Sequence, residues 1–115
     1  MSYQQQYQRW LRADALSPEE RAQLLAMADD PAQIEDRFFS MLEFGTAGLR
    51  GIMGVGLRRM NLHVIRHATQ AFAQVILAEG PAAASQGVAI CYDCRLHSQE
   101  FAQAAAAVMA ANGIP

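Results

Sequence analysis

The apolar residues of the first forty positions recur with the period of an α-helix. In the first segment they fall at i, i+4, i+7 and i+8, a stripe that consists of Tyr3, Tyr7, Trp10 and Leu11. This spacing predicts an amphipathic helix whose aromatic side chains pack against the protein rather than bind a ligand.

Two further helix starts follow. Ser17, Pro18 and Glu20 have the order of a capping box with proline at the first helical position, and they predict a second helix that ends near Asp29. The same signal recurs at Asp30 and predicts a third, short helix. One face of this third helix carries Ile34, Phe38 and Leu42.

A long helix is predicted in the second half of the chain. Asn61 can cap it, it runs from Leu62 to about Glu79, and Gly80 and Pro81 stop it. Its expected buried stripe consists of Leu62, Ile65, Phe72, Val75 and Ile76.

The remaining residues change from strand back to helix. A loop over residues 81–86 precedes an apolar run from Val88 to Tyr92, whose β-branched members predict a buried strand. Ser98 then caps a helix that Asn112 and Gly113 end. The apolar face of this helix carries Phe101, Ala105, Val108 and Met109. Strand, loop and helix form the first two-thirds of a βαβ unit, so we expect an N-terminal piece of a longer protein rather than a complete small domain.

The composition is that of one globular domain, with 115 residues, 52% of them hydrophobic and 17% charged. A net charge of −2 excludes a general nucleic-acid binder, which carries a basic excess. No apolar run reaches the about 20 residues that span a bilayer, and the N-terminus lacks a signal-peptide pattern. We therefore expect a cytoplasmic protein with neither a membrane nor a nucleic-acid partner.

The candidate chemistry is concentrated between Phe44 and Asn61, where five of the eight glycines lie. Such density indicates tight turns or a close approach of a ligand to the main chain. No Asp or Glu occurs from Gly45 to Ala78, whereas the basic residues there are Arg50, Arg58, Arg59, His63, Arg66 and His67. This excess of donors predicts an anion partner, and a glycine-rich hairpin with incidental arginines explains it equally well.

Metal and thiol chemistry are also open to consideration. Cys91, Cys94 and His97 have suitable spacing, but a fourth zinc ligand is missing and the first cysteine does not begin a helix. Two buried or half-buried thiols are the favoured interpretation. His63 and His67 are spaced i, i+4, but the glutamate of an HExxH motif is absent.

Asp93 and Arg95 directly follow the predicted strand. This is the edge at which open α/β sheets bind ligands. A structural role is nevertheless favoured for both, because an aspartate at a strand end commonly satisfies local backbone donors.

Taken in order, the motifs resemble the start of the phosphohexomutase superfamily. FGTAGLRG is followed by MGVG, RRMN and an RHATQ helix, then by a strand ending in YDCR, and finally by HSQEFA and AANGI. The similarity is greatest to the phosphoglucomutase and phosphopentomutase branch, whose members also begin with a WL…L…E helical lead-in and an EDRF stretch.

The resemblance implies a four-domain parent enzyme. A phosphoserine would move a phosphoryl group between the 1- and 6-positions, or the 1- and 5-positions, of a sugar phosphate, with a sugar bisphosphate as intermediate and activator. Mg²⁺ held by an aspartate-rich loop would offset the charge of the transferred group. The expected partners are the sugar phosphate substrate and the remainder of the same polypeptide.

The resemblance also assigns individual residues. Arg50 matches the catalytic arginine that stabilises the phosphoryl oxygens. Substrate binding is assigned to Thr46, Ala47, Gly48 and Arg50, and structural support of the site to Gly45, Gly51, Asp93, Arg95 and Ser98. The nucleophilic serine and the metal ligands have no counterpart before Pro115, so no metal residue is assigned in this chain.

Together these observations predict an α/β fold. A helical lead-in is expected over residues 1–43, and an incomplete three-layer α/β/α domain with a mixed sheet over 44–115. The parent is expected to be a phosphosugar mutase, and this segment alone is expected to be inactive. Two other classes stay open: a stand-alone, non-catalytic phosphate- or anion-binding module that uses Arg50, and a thiol redox protein, which slow labelling of both thiols would exclude.

Overall fold

A computed structural model of the chain describes residues 2–45 and 48–115. The chain divides into two compact units, one that ends at Asn61 and one that spans Leu62–Pro115. Each unit has its own apolar cluster.

The first unit contains three helices and a short hairpin. The helices are α1 (Tyr3–Leu11), α2 (Pro18–Ala26) and α3 (Pro31–Phe38), and the strands are β1 (Phe44–Gly45) and β2 (Gly48–Leu49). The strands pair antiparallel, with Phe44 opposite Leu49.

The helix starts of the first unit follow the local signals in the sequence. Ser17 accepts the backbone N–H of Glu20 at 3.1 Å, and the Glu20 carboxylate accepts the N–H of Ser17, which confirms the predicted capping box. Asp30 likewise accepts the N–H of Gln33 at the start of α3. Leu42, expected on the third helix, lies four residues beyond its end and is half-buried.

The core of the first unit is built on aromatic contacts. The rings of Tyr7 and Trp10 both meet Phe38 edge-on, with centroids 5.8 and 5.6 Å away. The Tyr7 hydroxyl donates to the Leu24 carbonyl at 2.6 Å, so α1 is tied to α2 within the core. The buried members of this core are Tyr7, Leu16, Leu24, Met27, Ile34, Phe38 and Val55. The aromatic stripe of α1 therefore packs, as its spacing predicts.

The second unit consists of α4 (Leu62–Ala78), α5 (Pro81–Gln86) and α6 (Ser98–Ala111). Its buried cluster contains Ala73, Met109 and Ile114. The predicted stripe of α4 is wrong in part, because Phe72 and Val75 are 57% and 65% exposed. The positions that α4 buries are instead Val64 and Ala73, and α6 packs along this helix.

Glycine and proline residues mark the helix boundaries of the second unit. Gly80 has φ of +108° and ends α4, while Pro81 occupies the first turn of α5. The predicted loop over 81–86 is therefore wrong, since Pro81 starts a helix as readily as it stops one. Gly113, with φ of +73°, ends α6 as predicted.

The predicted strand Val88–Tyr92 does not form, and the predicted mixed sheet is not confirmed. Residues 87–93 join no ladder, and the strands among the described residues are the two-residue β1 and β2. The Val88 N–H donates to the Pro115 carbonyl at 3.0 Å. A strand exists only through a paired neighbour, and in the described part of this unit no strand pairs with residues 88–92.

Among the described residues, no helix is both long enough and apolar enough to cross a membrane.

Candidate functional site

The hairpin β1–β2 carries the predicted binding loop. Its strands place Gly45 opposite Gly48. Thr46 and Ala47, which were predicted to bind substrate, lie outside the described residues. Arg50 follows β2 directly and is exposed to solvent. A guanidinium in this position is accessible to an anion.

Gly51, beside Arg50, is pressed against a side chain of the lead-in. A Cβ atom at Gly51 would come within 2.8 Å of both terminal methyl carbons of Leu42. Glycine therefore lets the chain after Arg50 run directly over Leu42.

The rest of the glycine cluster folds back on itself. The Met60 N–H donates to the Ile52 carbonyl at 2.8 Å, and the Gly54 N–H donates to the Met60 carbonyl at 3.2 Å. The side-chain amide of the buried Asn61 donates to the carbonyls of Gly54 and Gly56, each at 2.9 Å. Backbone and Asn61 side-chain hydrogen bonds within residues 52–61 therefore hold this segment in a closed turn.

The basic residues of the cluster differ sharply in their surroundings. Arg58 is exposed, but Arg59 is buried and forms an ion pair with Asp36 of α3. The Arg59 guanidinium holds the pKa of the Asp36 carboxyl below its usual range, mainly through their hydrogen bond. Arg59 is therefore a structural residue and not part of an anion-facing surface.

A second link to α3 runs through Arg37. Its guanidinium donates to the Val55 carbonyl at 3.0 Å, and its own carbonyl accepts the N–H of Arg58 at 2.8 Å. Burial lowers the pKa of Arg37, and the charge of Arg59 lowers it further.

Sequence reasoning missed Asp36 and Arg37, because the search for partners stopped at the acid-free stretch that begins at Gly45. A signal was available: an arginine that becomes buried requires a carboxylate, and the EDR stretch of residues 35–37 supplies two carboxylates before the cluster.

The remaining predicted support residues lie together in the second unit. The Asp93 carboxylate accepts the N–H of Arg95 at 2.9 Å and lies 3.3 Å from its Nε. The Asp93 N–H donates to the Ser98 hydroxyl at 3.2 Å. The backbone N–H of Arg95 is the main reason that the pKa of Asp93 is lowered.

The predicted cap at Ser98 is wrong. Ser98 is the first residue of α6, and the cap position belongs to His97, which has φ of +67° and makes no capping bond with its side chain. The hydroxyl of Ser98 serves the Asp93 loop instead.

The two cysteines are free thiols and both are exposed, so the expectation that they are buried or half-buried is wrong. Burial was inferred from a strand between neighbours, and residues 87–93 have none. On α4, Arg66 and His67 are exposed and His63 is half-buried. Within the described ranges, no group of three His, Cys, Asp or Glu side chains is arranged to hold a metal ion.

Comparison with known proteins decides what kind of chain this is. Residues 41–115 match the family described as phosphoglucomutase/phosphomannomutase, alpha/beta/alpha domain I. The chain belongs to this phosphoglucomutase/phosphomannomutase family. The predicted resemblance to the phosphohexomutase superfamily, covering part of domain I, is confirmed.

Individual relatives agree with the family match. A phosphopentomutase of Mus musculus is 35% identical over 96% of the chain, and a probable phosphoribomutase of Schizosaccharomyces pombe is 38% identical over 90%. A phosphoglucomutase of Staphylococcus aureus is 39% identical over 71%. The chain spans only 19%, 17% and 15% of these relatives' lengths. No solved structure matches the chain.

Proposed function

We propose that this chain is the N-terminal part of a phosphosugar mutase, an isomerase of carbohydrate metabolism. The observation that supports it best is the family match over residues 41–115, together with relatives whose names all describe phosphomutases. Because the chain spans about a fifth of the first relative, the active enzyme would require the remainder of a longer polypeptide.

In this proposal Arg50 binds the phosphoryl group during transfer. An exposed guanidinium offers a planar fork that fits two phosphoryl oxygens. One of the two residue pairs of the nearby hairpin, Gly45 and Gly48, has no side chains that would keep a ligand from the main chain. Gly48 lies in the same strand pair, and Thr46 and Ala47 complete the proposed substrate loop.

The phosphoryl group would be carried by a serine outside this chain. The serine would donate its phosphoryl group to one position of a sugar phosphate, and a sugar bisphosphate would return a phosphoryl group from the other position. Mg²⁺, when bound elsewhere in the parent protein, would supply charge neutralisation. The role of this chain is to orient the group and stabilise its negative charge. We place the protein in the cytoplasm.

The test is an assay of the native gene product. We expect it to interconvert ribose 1-phosphate and ribose 5-phosphate, or glucose 1-phosphate and glucose 6-phosphate, in the presence of Mg²⁺. Absence of both activities would contradict the proposal. The isolated 115-residue chain is expected to show neither reaction, since it lacks the nucleophile.

The proposed role of Arg50 has its own variant. Arg50→Lys in the native product should lower kcat by about 10²-fold, the usual cost of removing one donor to a developing oxyanion. Arg12→Lys, at an exposed arginine beyond α1, is the matched control and should leave kcat unchanged. Equal effects of the two substitutions would exclude Arg50 from the site.

A further inference from the structure

The helical lead-in makes contacts that extend to the substrate loop. We propose that α3 is a positioning element: Asp36 and Arg37 hold residues 51–60 and thereby set the position of Arg50. The inference rests on the proposed function for what Arg50 binds, and on the contacts of the first unit for how Arg50 is held.

The first step is the attachment of α3 to the glycine cluster. Asp36 pairs with Arg59, and Arg37 uses both its guanidinium and its carbonyl, toward Val55 and Arg58. Gly56 lies so close that a Cβ there would be 2.9 Å from the Arg37 Cβ. Contact at consecutive residues of one helix fixes the cluster in orientation as well as in distance.

The second step is the set of contacts that connects the anchored cluster with Arg50. Met60, next to the anchored Arg59, donates to the Ile52 carbonyl and accepts from Gly54. Gly51 packs closely against the side chain of Leu42, which follows α3. Arg50 is therefore the residue at which a chain of bonded and packed groups ends, and its own side chain is exposed.

The third step is the imbalance of burial within the ion pair. The Arg59 side chain is 10% exposed, whereas that of Asp36 is 58% exposed. A buried guanidinium without a carboxylate carries a large desolvation cost, so loss of the Asp36 charge would displace Arg59 and the adjoining Met60. Asp36 thus lies at the surface, but its charge stabilises the buried Arg59 within the cluster.

This role lies outside the matched domain. The family match begins at residue 41, and α3 ends at Phe38. The lead-in would therefore contribute directly to the geometry of the site rather than serve only as an appended helical segment.

Hydrogen exchange on the native gene product provides the first test. Asp36→Asn should make the amides of Gly54, Arg58 and Met60 exchange several-fold faster, because all three donors lie in the segment that α3 holds. Asp36→Glu keeps the carboxylate and should restore the slow rates. Glu35→Gln, an exposed neighbour on the same helix, is the matched control. Unchanged exchange in Asp36→Asn would overturn the proposal.

Kinetics provide the second test, through a double-mutant cycle. Asp36→Asn should lower kcat several-fold with little change in KM, and it should have no further effect in an Arg50→Lys background. Full additivity of the two substitutions would overturn the positioning role, since Asp36 would then act independently of Arg50. A wild-type protein without mutase activity would contradict the proposed function alone, and the exchange measurement would still decide whether α3 holds the segment.

Discussion

At the residue scale, Gly56 shows how backbone conformation and space act together. Its φ is +128°, and a Cβ would lie 2.9 Å from the Arg37 Cβ and 3.0 Å from the Arg37 carbonyl oxygen. The second contact is with backbone, which cannot rotate away as the end of a side chain can. This glycine is needed both for its conformation and for its size.

We expect Gly56→Ala to lower the free energy of unfolding by about 2 to 4 kcal/mol, as backbone strain and overpacking add. Gly80→Ala is the control, because Gly80 also has positive φ but meets nothing within 4 Å of an added Cβ. Urea unfolding followed by circular dichroism measures both. A loss at Gly56 no greater than the loss at Gly80 would contradict the contact argument.

The lowered pKa of the Asp36 carboxyl makes the stability of the fold depend on pH. Its folded-state pKa is depressed by Arg59, so its contribution to stability is present above the unfolded pKa of about 3.9 and is lost as pH falls through the lower folded value. Asp93 has a depressed pKa as well and acts in the same direction.

Stability should therefore be insensitive to these two groups between pH 7 and about 5, and it should fall below about pH 4. Asp36→Asn should reduce the acid-induced loss, and Glu35→Gln, at an exposed neighbour on the same helix, is the control. Urea midpoints at pH 6 and pH 3 provide the measurement. An acid loss in Asp36→Asn equal to that of the wild type would show that the ion pair contributes nothing to the pH dependence.

At the scale of elements, helix starts could be predicted from neighbouring residues, whereas contacts between distant segments could not. Ser17 and Asp30 start their helices because each side chain serves an N–H three residues away, which a sequence displays directly. The partner of Arg59 lies 23 residues earlier, at a distance that no short motif encodes. The strand predicted at Val88 does not form, because a strand requires a paired neighbour and the apolar composition of the segment does not supply one.

The same distinction applies to the candidate site. Arg50 and the glycine cluster could be singled out from residue type and spacing. The exposure of Cys91 and the burial of Arg59 follow from what packs beside each, and both were misjudged. Ser98 was assigned the right helix and the wrong bond, because a hydroxyl at a helix start can serve the preceding loop equally well.

The contact between α4 and α6 includes a reciprocal pair of amides. Asn112 donates to Gln70 at 2.7 Å, and Gln70 donates back at 3.2 Å. We expect Gln70→Ala to lower the free energy of unfolding by about 1 to 2 kcal/mol, because two hydrogen bonds are lost and part of the Asn112 amide is left unsatisfied.

Gln74→Ala is the control for this change, since Gln74 is exposed one turn further along the same helix. Urea unfolding of the two variants should separate them clearly. If Gln74→Ala is as damaging as Gln70→Ala, the amide pair adds nothing to the stability of the second unit.

At the scale of the whole molecule, the share of a relative's length that the chain spans predicts the mass of the native gene product. The chain has a mass of 12.6 kDa and spans 19% of a phosphopentomutase of Mus musculus, so we expect the native gene product to have about five times this mass. Intact-mass spectrometry of the product from its source measures it. A native product of 12.6 kDa would instead favour the stand-alone anion-binding module.

The chain has a single tryptophan, Trp10, whose ring meets Phe38 in the core of the first unit. Its emission on excitation near 295 nm is thus an optical signal that originates in the lead-in alone. Loss of the edge-on contact would shift that emission as the lead-in opens, whereas Leu62–Pro115 contributes no tryptophan emission. A fluorescence titration of this chain therefore reports on the part that precedes Leu62, and its comparison with a signal common to all helices would distinguish the two units without any added label.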